Sequence, residues 1–353
     1  MSLPDLRPLD VSAETEFGKA IRNDLEHNVI GQADAITYFS ELIEKFKSRL
    51  YNTTKPIGSV LFTGPTGVGK TLVTEMFAES LQPPNARDSK LNMLKVDCAE
   101  YQHSHEIAKL IGSPPGYLGH RETPPVLCTA RITELQSKSE HYNFAILLFD
   151  EIEKASDALW HVLLGVLDKG EITTGSNERV DLTRTVVVMT SNAGSAEMGV
   201  ALGDGVGFKT PEESPNVAEI KRIGIAAAKR KFSLEFINRL DGVVAFHALD
   251  RAQVAKVLKL ELEKLQFEIF SKCTPRLMFF VSKAAQEALL TEGYDPKFNA
   301  RNIKRTIDKQ LRLPLARIIG NKSIQEDEDV AVDYIDGQYT FGAAHILARK
   351  VGL

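Results

Sequence analysis

Brief apolar runs punctuate the first part of the chain: Val60-Leu61-Phe62, Met93–Asp97 (MLKVD), Ala145–Phe149 (AILLF), Thr185–Met189 (TVVVM) and Val243–Phe246 (VVAF). They are too short for helices and end at polar residues, as strands do when helices cover both faces of a parallel sheet. Behind the first run, Leu72, Val73, Met76, Phe77 and Leu81 recur at helical spacing. After His247 the pattern changes. From Ala252 to Phe270 it predicts one long helix, with Val254, Val257, Leu258, Leu262 and Leu265 on one face. Ser282 is placed as the N-cap of a second helix that runs to Glu292 and is stopped by Gly293. A third starts near Ala300 and is kinked or ended near Pro314. The tail segments VAVDYID and QYTFG predict a small hairpin, and the Gly-, Glu- and Pro-rich stretch Gly194–Asn216 an exposed loop. The expectation is an α/β domain over 1–248, a parallel sheet between helices, followed by a small, mostly helical domain over 249–353.

Composition narrows the partners. The chain has 353 residues, 43% of them hydrophobic and 25% charged, enough for two ordinary globular domains. A net charge of -4 offers no basic field for gripping nucleic acid, so proteins or small molecules are the expected partners. Cys98, Cys128 and Cys273 are isolated and odd in number, which fits a reducing compartment and argues against a disulfide framework or metal knuckle. No stretch approaches the ~20 apolar residues of a membrane span, and the N-terminus lacks a basic segment followed by an apolar run. A cytoplasmic protein without a membrane partner is expected.

The chemistry is concentrated where strands end. Gly64-Pro65-Thr66-Gly67-Val68-Gly69-Lys70-Thr71 lies between the first strand and the helix behind it. Glycines in that position let backbone N–H groups turn around a triphosphate, and the following helix offers its positive N-terminal end to the same anion. Lys70 would reach the outer phosphates and Thr71 would ligate Mg²⁺, so ATP and Mg²⁺ are the expected cofactors. Asp150 and Glu151 end the strand of ILLFDEIEKA, 80 residues beyond Lys70. There Asp150 can serve the metal shell and Glu151 can polarise the attacking water. Such an Asp-Glu pair alone would read as a solvated helix start; the phosphate loop upstream decides for the catalytic reading. Asn192 in TSNAG could orient water against the γ-phosphate, or simply form a turn. Arg239 in FINRLD and Arg301 in GYDPKFNARNIKR would by themselves read as surface charges.

As a set, VIGQ, GPTGVGKT, PPGYLG, LLFDEIEKA, TSNAG, EFINRLD and GYDPKFNARNIKR resemble, in family order, the second ATPase module of the Clp family of AAA+ ATPases. The resemblance extends from about Val29 to about residue 335. It implies Val29 and Ile30 beside the adenine, phosphate binding by Gly64 to Thr71, metal contact by Asp150, a base at Glu151 and a γ-phosphate sensor at Asn192. It implies further that Arg239 is the finger given to a neighbouring subunit's ATP, and that Arg301 is a second sensor on a helical lid. A finger acting in trans requires a head-to-tail interface, which closes into a ring or continues as a spiral; the family implication is a hexamer. Asn299 stands where the family usually has glycine.

In the resemblance, Pro114–Gly119 (PPGYLG) faces a central pore, where Tyr117 and Leu118 grip an extended protein substrate and pull it as nucleotide states change. His120, Arg121 and Glu122, then Thr123-Pro124-Pro125, depart from the family's continuation there. Val206-Gly207-Phe208 resembles the tripeptide by which protease-associated members dock on a barrel peptidase, and a mere hydrophobic anchor is the other reading. The chain begins just before the module, so a minimal single ring, or reliance on other chains for substrate delivery, is expected, and the partner-coupled disaggregation of middle-domain members is not. The functional expectation is an ATP-dependent protein unfoldase. A non-hydrolysing, nucleotide-switched scaffold and a nucleic-acid AAA+ ATPase are the alternatives; a switch has no need of Glu151.

Overall fold

A computed structural model describes residues 10–11, 13–82, 91–113, 125–139, 142–202, 217–273, 277–295, 299–325 and 328–344. Tyr117, Leu118, Val206, Gly207 and Phe208 lie outside the described residues. The chain divides into two compact units: Met1–Thr63 with Lys70–Ala245, and Gly64–Gly69 with Phe246–Leu353.

The first unit opens with helices α1 (Glu16–Asn28) and α2 (Ala33–Lys47). They are followed by β1 (Gly58–Thr63), α3 (Lys70–Ser80), β2 (Met93–Asp97), α4 (Ile107–Ile111), α5 (Thr129–Ser137) and β3 (Ala145–Asp150). Next come α6 (Asp157–Lys169), the short pair β4 (Glu171–Thr173) and β5 (Arg179–Asp181), and β6 (Thr185–Ser191). Helices α7 (Ser195–Leu202), α8 (Val217–Lys231) and α9 (Leu234–Ile237) then lead to β7 (Gly242–Ala245). The sheet order is β2-β3-β6-β1-β7, and every neighbouring pair in it is parallel. The five apolar runs thus form one sheet. Strands β1, β3 and β6 are buried almost throughout, which is why their sequences are continuous rather than alternating.

Register decides what meets at the strand ends. Phe149 pairs with Met189, so the next residues, Asp150 and Thr190, emerge side by side at the carboxyl edge. Ligands of open α/β sheets gather at that edge. Behind it, Val73 and Phe77 bury one face of α3, with Leu81 buried just past its end, and Phe77 stacks on Phe39 of α2 with ring centroids 4.1 Å apart. On Gly194–Asn216 the structure corrects the expectation of an exposed loop over its first part. Ser195–Leu202 is helical, and Met198 is fully buried against α8, where a Cβ on Gly224 would come within 2.6 Å of its sulfur.

The second unit contains α10 (Arg251–Lys272), β8 (Phe279–Val281), α11 (Lys283–Gly293), α12 (Arg301–Ile307), α13 (Leu313–Gly320), β9 (Asp329–Ile335) and β10 (Gln338–Ala344). Asp250 and Gln253 form a capping box at the start of α10, and the Ser282 hydroxyl accepts the Ala285 N–H at the start of α11. Gly293 is the last residue of α11; its φ is not positive, and its need is space, because a Cβ there would meet Ile303 Cδ1 at 2.7 Å. The helix begun at Arg301 does not end at Pro314. A π-helical turn, Asp308–Arg312, joins α12 to α13, and Pro314 falls in the first turn of α13, where a missing N–H costs little. The predicted hairpin is β9–β10, extended by β8, which pairs parallel to β9. Val254, Leu258, Leu289, Ile303, Leu311 and Val332 belong to this unit's core.

Candidate active site

In the first unit, Lys70, Thr71, Asp150, Glu151 and Asn192 come together although they lie up to 122 residues apart in sequence. Lys70 and Thr71 open α3, Asp150 ends β3, and Asn192 follows β6. The Thr71 hydroxyl lies 3.2 Å and 3.4 Å from the two Asp150 carboxylate oxygens. The Asn192 amide bridges two groups: its Oδ1 accepts from Lys70 Nζ at 3.0 Å and its Nδ2 donates to Glu151 Oε1 at 3.4 Å.

Glu151 has φ 56° and ψ 49°, a left-handed conformation that costs free energy for a side-chain-bearing residue and is found where function demands a particular direction. Its N–H donates to the Thr190 hydroxyl at 3.0 Å, and that hydroxyl donates in turn to Asp150 Oδ1. Thr190 therefore holds both acidic residues. The 3-10 turn Ile152–Lys154 brings the Lys154 ammonium onto Glu151 Oε2, and the Asn192 N–H donates to Glu153 Oε1 at 3.0 Å.

These contacts set the charge states. Burial is the largest influence on Lys70 and lowers its pKa to about 8, against the pull of Glu153, Asp150 and Glu151, which favours the ammonium. Burial also pushes Asp150 upward. Hydrogen bonds from Thr190 and Lys95, the Lys95 charge and the Thr71 hydroxyl outweigh it and hold the carboxyl below its ordinary value. Lys95 Nζ sits 3.0 Å from Asp150 Oδ2. A hydroxyl beside an ionised carboxylate is a hard-oxygen donor set that suits Mg²⁺, which takes one or two protein ligands and completes its shell with water and phosphate. Among the described residues no cluster of three or more His, Cys, Asp or Glu offers an all-protein metal site.

The other predicted residues lie elsewhere. Arg239, after α9, pairs through Nε with Asp168 Oδ1 at 2.7 Å and through its terminal nitrogen with Glu235 at 2.9 Å. Val29 is buried, and its N–H closes α1 on Leu25 O. Arg301 is the exposed first residue of α12 in the second unit. The segment Gly64–Gly69 groups with that unit; Gly64 has φ 138°, and a Cβ on it would meet Phe246 O at 2.3 Å, so only glycine fits there. Sequence reasoning missed Thr190, Lys95, Glu153 and Lys154 as parts of the site. Glu153 and Lys154 sit in the same acidic motif and Thr190 opens the TSNAG motif that carries Asn192, but Lys95 acts through strand register, which no local spacing displays.

A model of the AAA domain (Cdc48 subfamily) matches residues 55–243. The chain belongs to the AAA+ ATPases. A second model, the C-terminal D2-small domain of ClpB protein, matches residues 249–332, which makes this AAA+ protein one of the Clp type. It is 34% identical over 336 residues to the chaperone protein ClpB of Rhodopirellula baltica, covering 95% of this chain and 35% of that protein. It is also 34% identical over 333 residues to the ATP-dependent Clp protease ATP-binding subunit ClpC of Staphylococcus saprophyticus, covering 94% of this chain and 38% of that protein. A cryo-EM reconstruction of closed-state Hsp104 with ATPγS and FITC-casein matches with a TM-score of 0.73 and 28% identity, over 94% of this chain and 52% of that one. The AAA+ chain thus spans little more than a third of the length of these curated relatives. Among the described residues no helix is long and apolar enough to cross a membrane.

Proposed function

We propose that this AAA+ module binds ATP, hydrolyses it to ADP and phosphate, and couples the hydrolysis to pulling protein substrates through the pore of a hexameric ring. The observation that carries the proposal is the Asn192 amide, hydrogen-bonded at once to Lys70 and Glu151. A residue so placed links the group that would hold the outer phosphates to the carboxylate that would take a proton from water. In this reading Gly64 to Thr71 bind the phosphates, with Val29 and Ile30 beside the adenine. Thr71 and Asp150 would hold Mg²⁺, whose charge supports the phosphates during transfer. Glu151 accepts the water's proton, and Asn192 fixes the direction of that carboxylate. Arg239 serves a neighbouring subunit's nucleotide, its two acidic partners Asp168 and Glu235 holding it until then, and Arg301 is the second sensor of the phosphates. The non-hydrolysing scaffold is disfavoured because strained Glu151 is held by three partners, Thr190, Lys154 and Asn192, a construction with no use in a passive clamp.

The mechanical half of the proposal rests on Tyr117 and Leu118. An aromatic ring presses on extended polypeptide without reading its sequence. Tyr117→Ala is expected to reduce unfolding of a tagged fluorescent reporter by about tenfold, the loss typical of a buried aromatic anchor. ATP turnover in the same protein should stay within about twofold of wild type. Equal losses of turnover and unfolding would contradict the pore role.

For Val206-Gly207-Phe208 the proposal is docking onto a barrel peptidase. Burying Val206 and Phe208 would contribute roughly 1.5–3 kcal/mol each, repeated around the ring. Replacing both with serine should abolish ATP-dependent degradation and co-purification with the host's peptidase, with unfolding retained. A double variant that still bound the peptidase normally would remove the docking assignment.

A further inference from the structure

Asn299 is 1% exposed and adopts φ 51°, and its side-chain amide is engaged at both ends within the second unit. Oδ1 accepts the N–H of Leu249 at 3.0 Å, and Nδ2 donates to the carbonyl of Thr66, inside the phosphate loop, at 3.2 Å. One partner is an obligate donor and the other an obligate acceptor, so the orientation of the amide is determined; a flipped amide would oppose like groups at both ends. The backbone is also held, since the Asn299 N–H donates to Asp295 O at 2.7 Å. Asparagine tolerates the left-handed region better than most residues with a side chain, but glycine occupies it with less strain. What distinguishes asparagine from glycine there is the amide and its two hydrogen bonds.

What the amide grips has a definite geometrical consequence. In a trans peptide the C=O and the following N–H point in opposite directions. Holding Thr66 O toward Asn299 turns the N–H of Gly67 away from it. Gly67, with φ 79°, lies in the stretch whose N–H groups are expected to line the phosphates. Left untethered, a Gly-rich loop samples several such orientations and must lose that freedom when an anion binds.

We propose that Asn299 is a positioning residue that locks the Thr66–Gly67 peptide of the phosphate loop in the orientation that receives a nucleoside di- or triphosphate. The proposal rests on the nucleotide-binding reading above. Its effect is exerted on the loop before the ligand arrives, so it changes affinity for phosphate-bearing nucleotide rather than the chemical step.

The test uses the full chain and mant-ADP, a fluorescent nucleoside diphosphate whose binding requires no hydrolysis. Asn299→Gly keeps the left-handed backbone and removes only the bridge. Asn299→Asp keeps the acceptor for Leu249 and sets a carboxylate against the Thr66 carbonyl. Relative to wild type, Kd for mant-ADP should rise about three- to tenfold in Asn299→Gly, the range expected for one lost hydrogen bond, and further in Asn299→Asp. The KM for ATP should follow Kd while kcat stays within about twofold; nucleotide-free Asn299→Gly should melt below wild type, because the buried Leu249 N–H loses its acceptor. A purely structural role would lower the melting temperature and leave Kd and KM of the folded fraction unchanged, which would overturn the proposal. Wild-type Kd in both variants would overturn it as well, with the nucleotide reading intact. Failure of the wild-type chain to bind mant-ADP at all would overturn the nucleotide reading and the proposal with it.

Discussion

Glu151→Gln should slow ATP turnover by about a hundred- to ten-thousandfold, the range for loss of a positioned general base. At about 1.4 kcal/mol per tenfold, that is roughly 3–5 kcal/mol of barrier. Nucleotide affinity should survive, because the amide replaces a carboxylate that touches neither Thr71 nor Lys70. Those residues keep their partners Asp150 and Asn192. The N–H of residue 151 keeps its bond to Thr190, so the left-handed turn that aims the side chain is preserved. Lys154 loses a charged partner, but the pair is half exposed, and such pairs contribute about 0–1 kcal/mol to stability. Phosphate release at saturating ATP measures the first effect and equilibrium nucleotide binding the second. Turnover near the wild-type rate would remove Glu151 from its role.

Arg239→Ala should depress hydrolysis still further, by about a thousand- to a hundred-thousandfold, the measured worth of arginine fingers in nucleotide hydrolysis. The reason is that its charge is needed in the transition state, where negative charge spreads over the transferring phosphoryl oxygens. Within its own subunit the guanidinium is held by Asp168 and Glu235 and lies outside the Lys70–Asn192–Glu151 cluster. Losing those two ion pairs should cost little stability, since the acidic partners are partly to largely exposed. The variant should therefore melt within a few degrees of wild type and bind ATP normally. Arg239→Lys should recover only a small part of the lost rate, because a point charge on a flexible stem does not reproduce the planar fork. Turnover within a few-fold of wild type in Arg239→Ala would contradict the assignment.

Much of the fold was legible because its signals are local. Each buried parallel strand announced itself as an apolar run, and Ser282 began α11 with the cap its side chain implies. The phosphate loop and the Asp150–Glu151 pair were legible for the same reason: each is one unbroken segment at the end of a strand. Elements with little local signal were missed. Strands β4, β5 and β8 have three residues each, too few for a period to show, and β8 exists through its partner β9. Helix α7 lay hidden in a stretch whose composition reads as loop; packing of Met198 against α8 outweighs that composition. Lys95 entered the site only through the register of β2 and β3, and the contact of Thr190, although it opens TSNAG, with Asp150 and Glu151 depends on the register of β3 and β6. The role of Asn299 depends on Thr66, 233 residues away, and could not be read from a motif in which it departs from the usual glycine.

The central claim is an ATPase whose site is completed across a subunit boundary, and mixing Glu151→Gln with Arg239→Ala tests it most directly. Each variant alone should be nearly inactive, one lacking the base and the other the finger. In mixed rings, some interfaces join the intact Arg239 of one subunit to the intact Glu151 of its neighbour, and phosphate release should recover to a substantial fraction of the wild-type rate, with a maximum at intermediate mixing ratios. If subunit exchange is demonstrated and every mixture stays as inactive as its components, Arg239 does not act on a neighbour's nucleotide and the composite site is wrong.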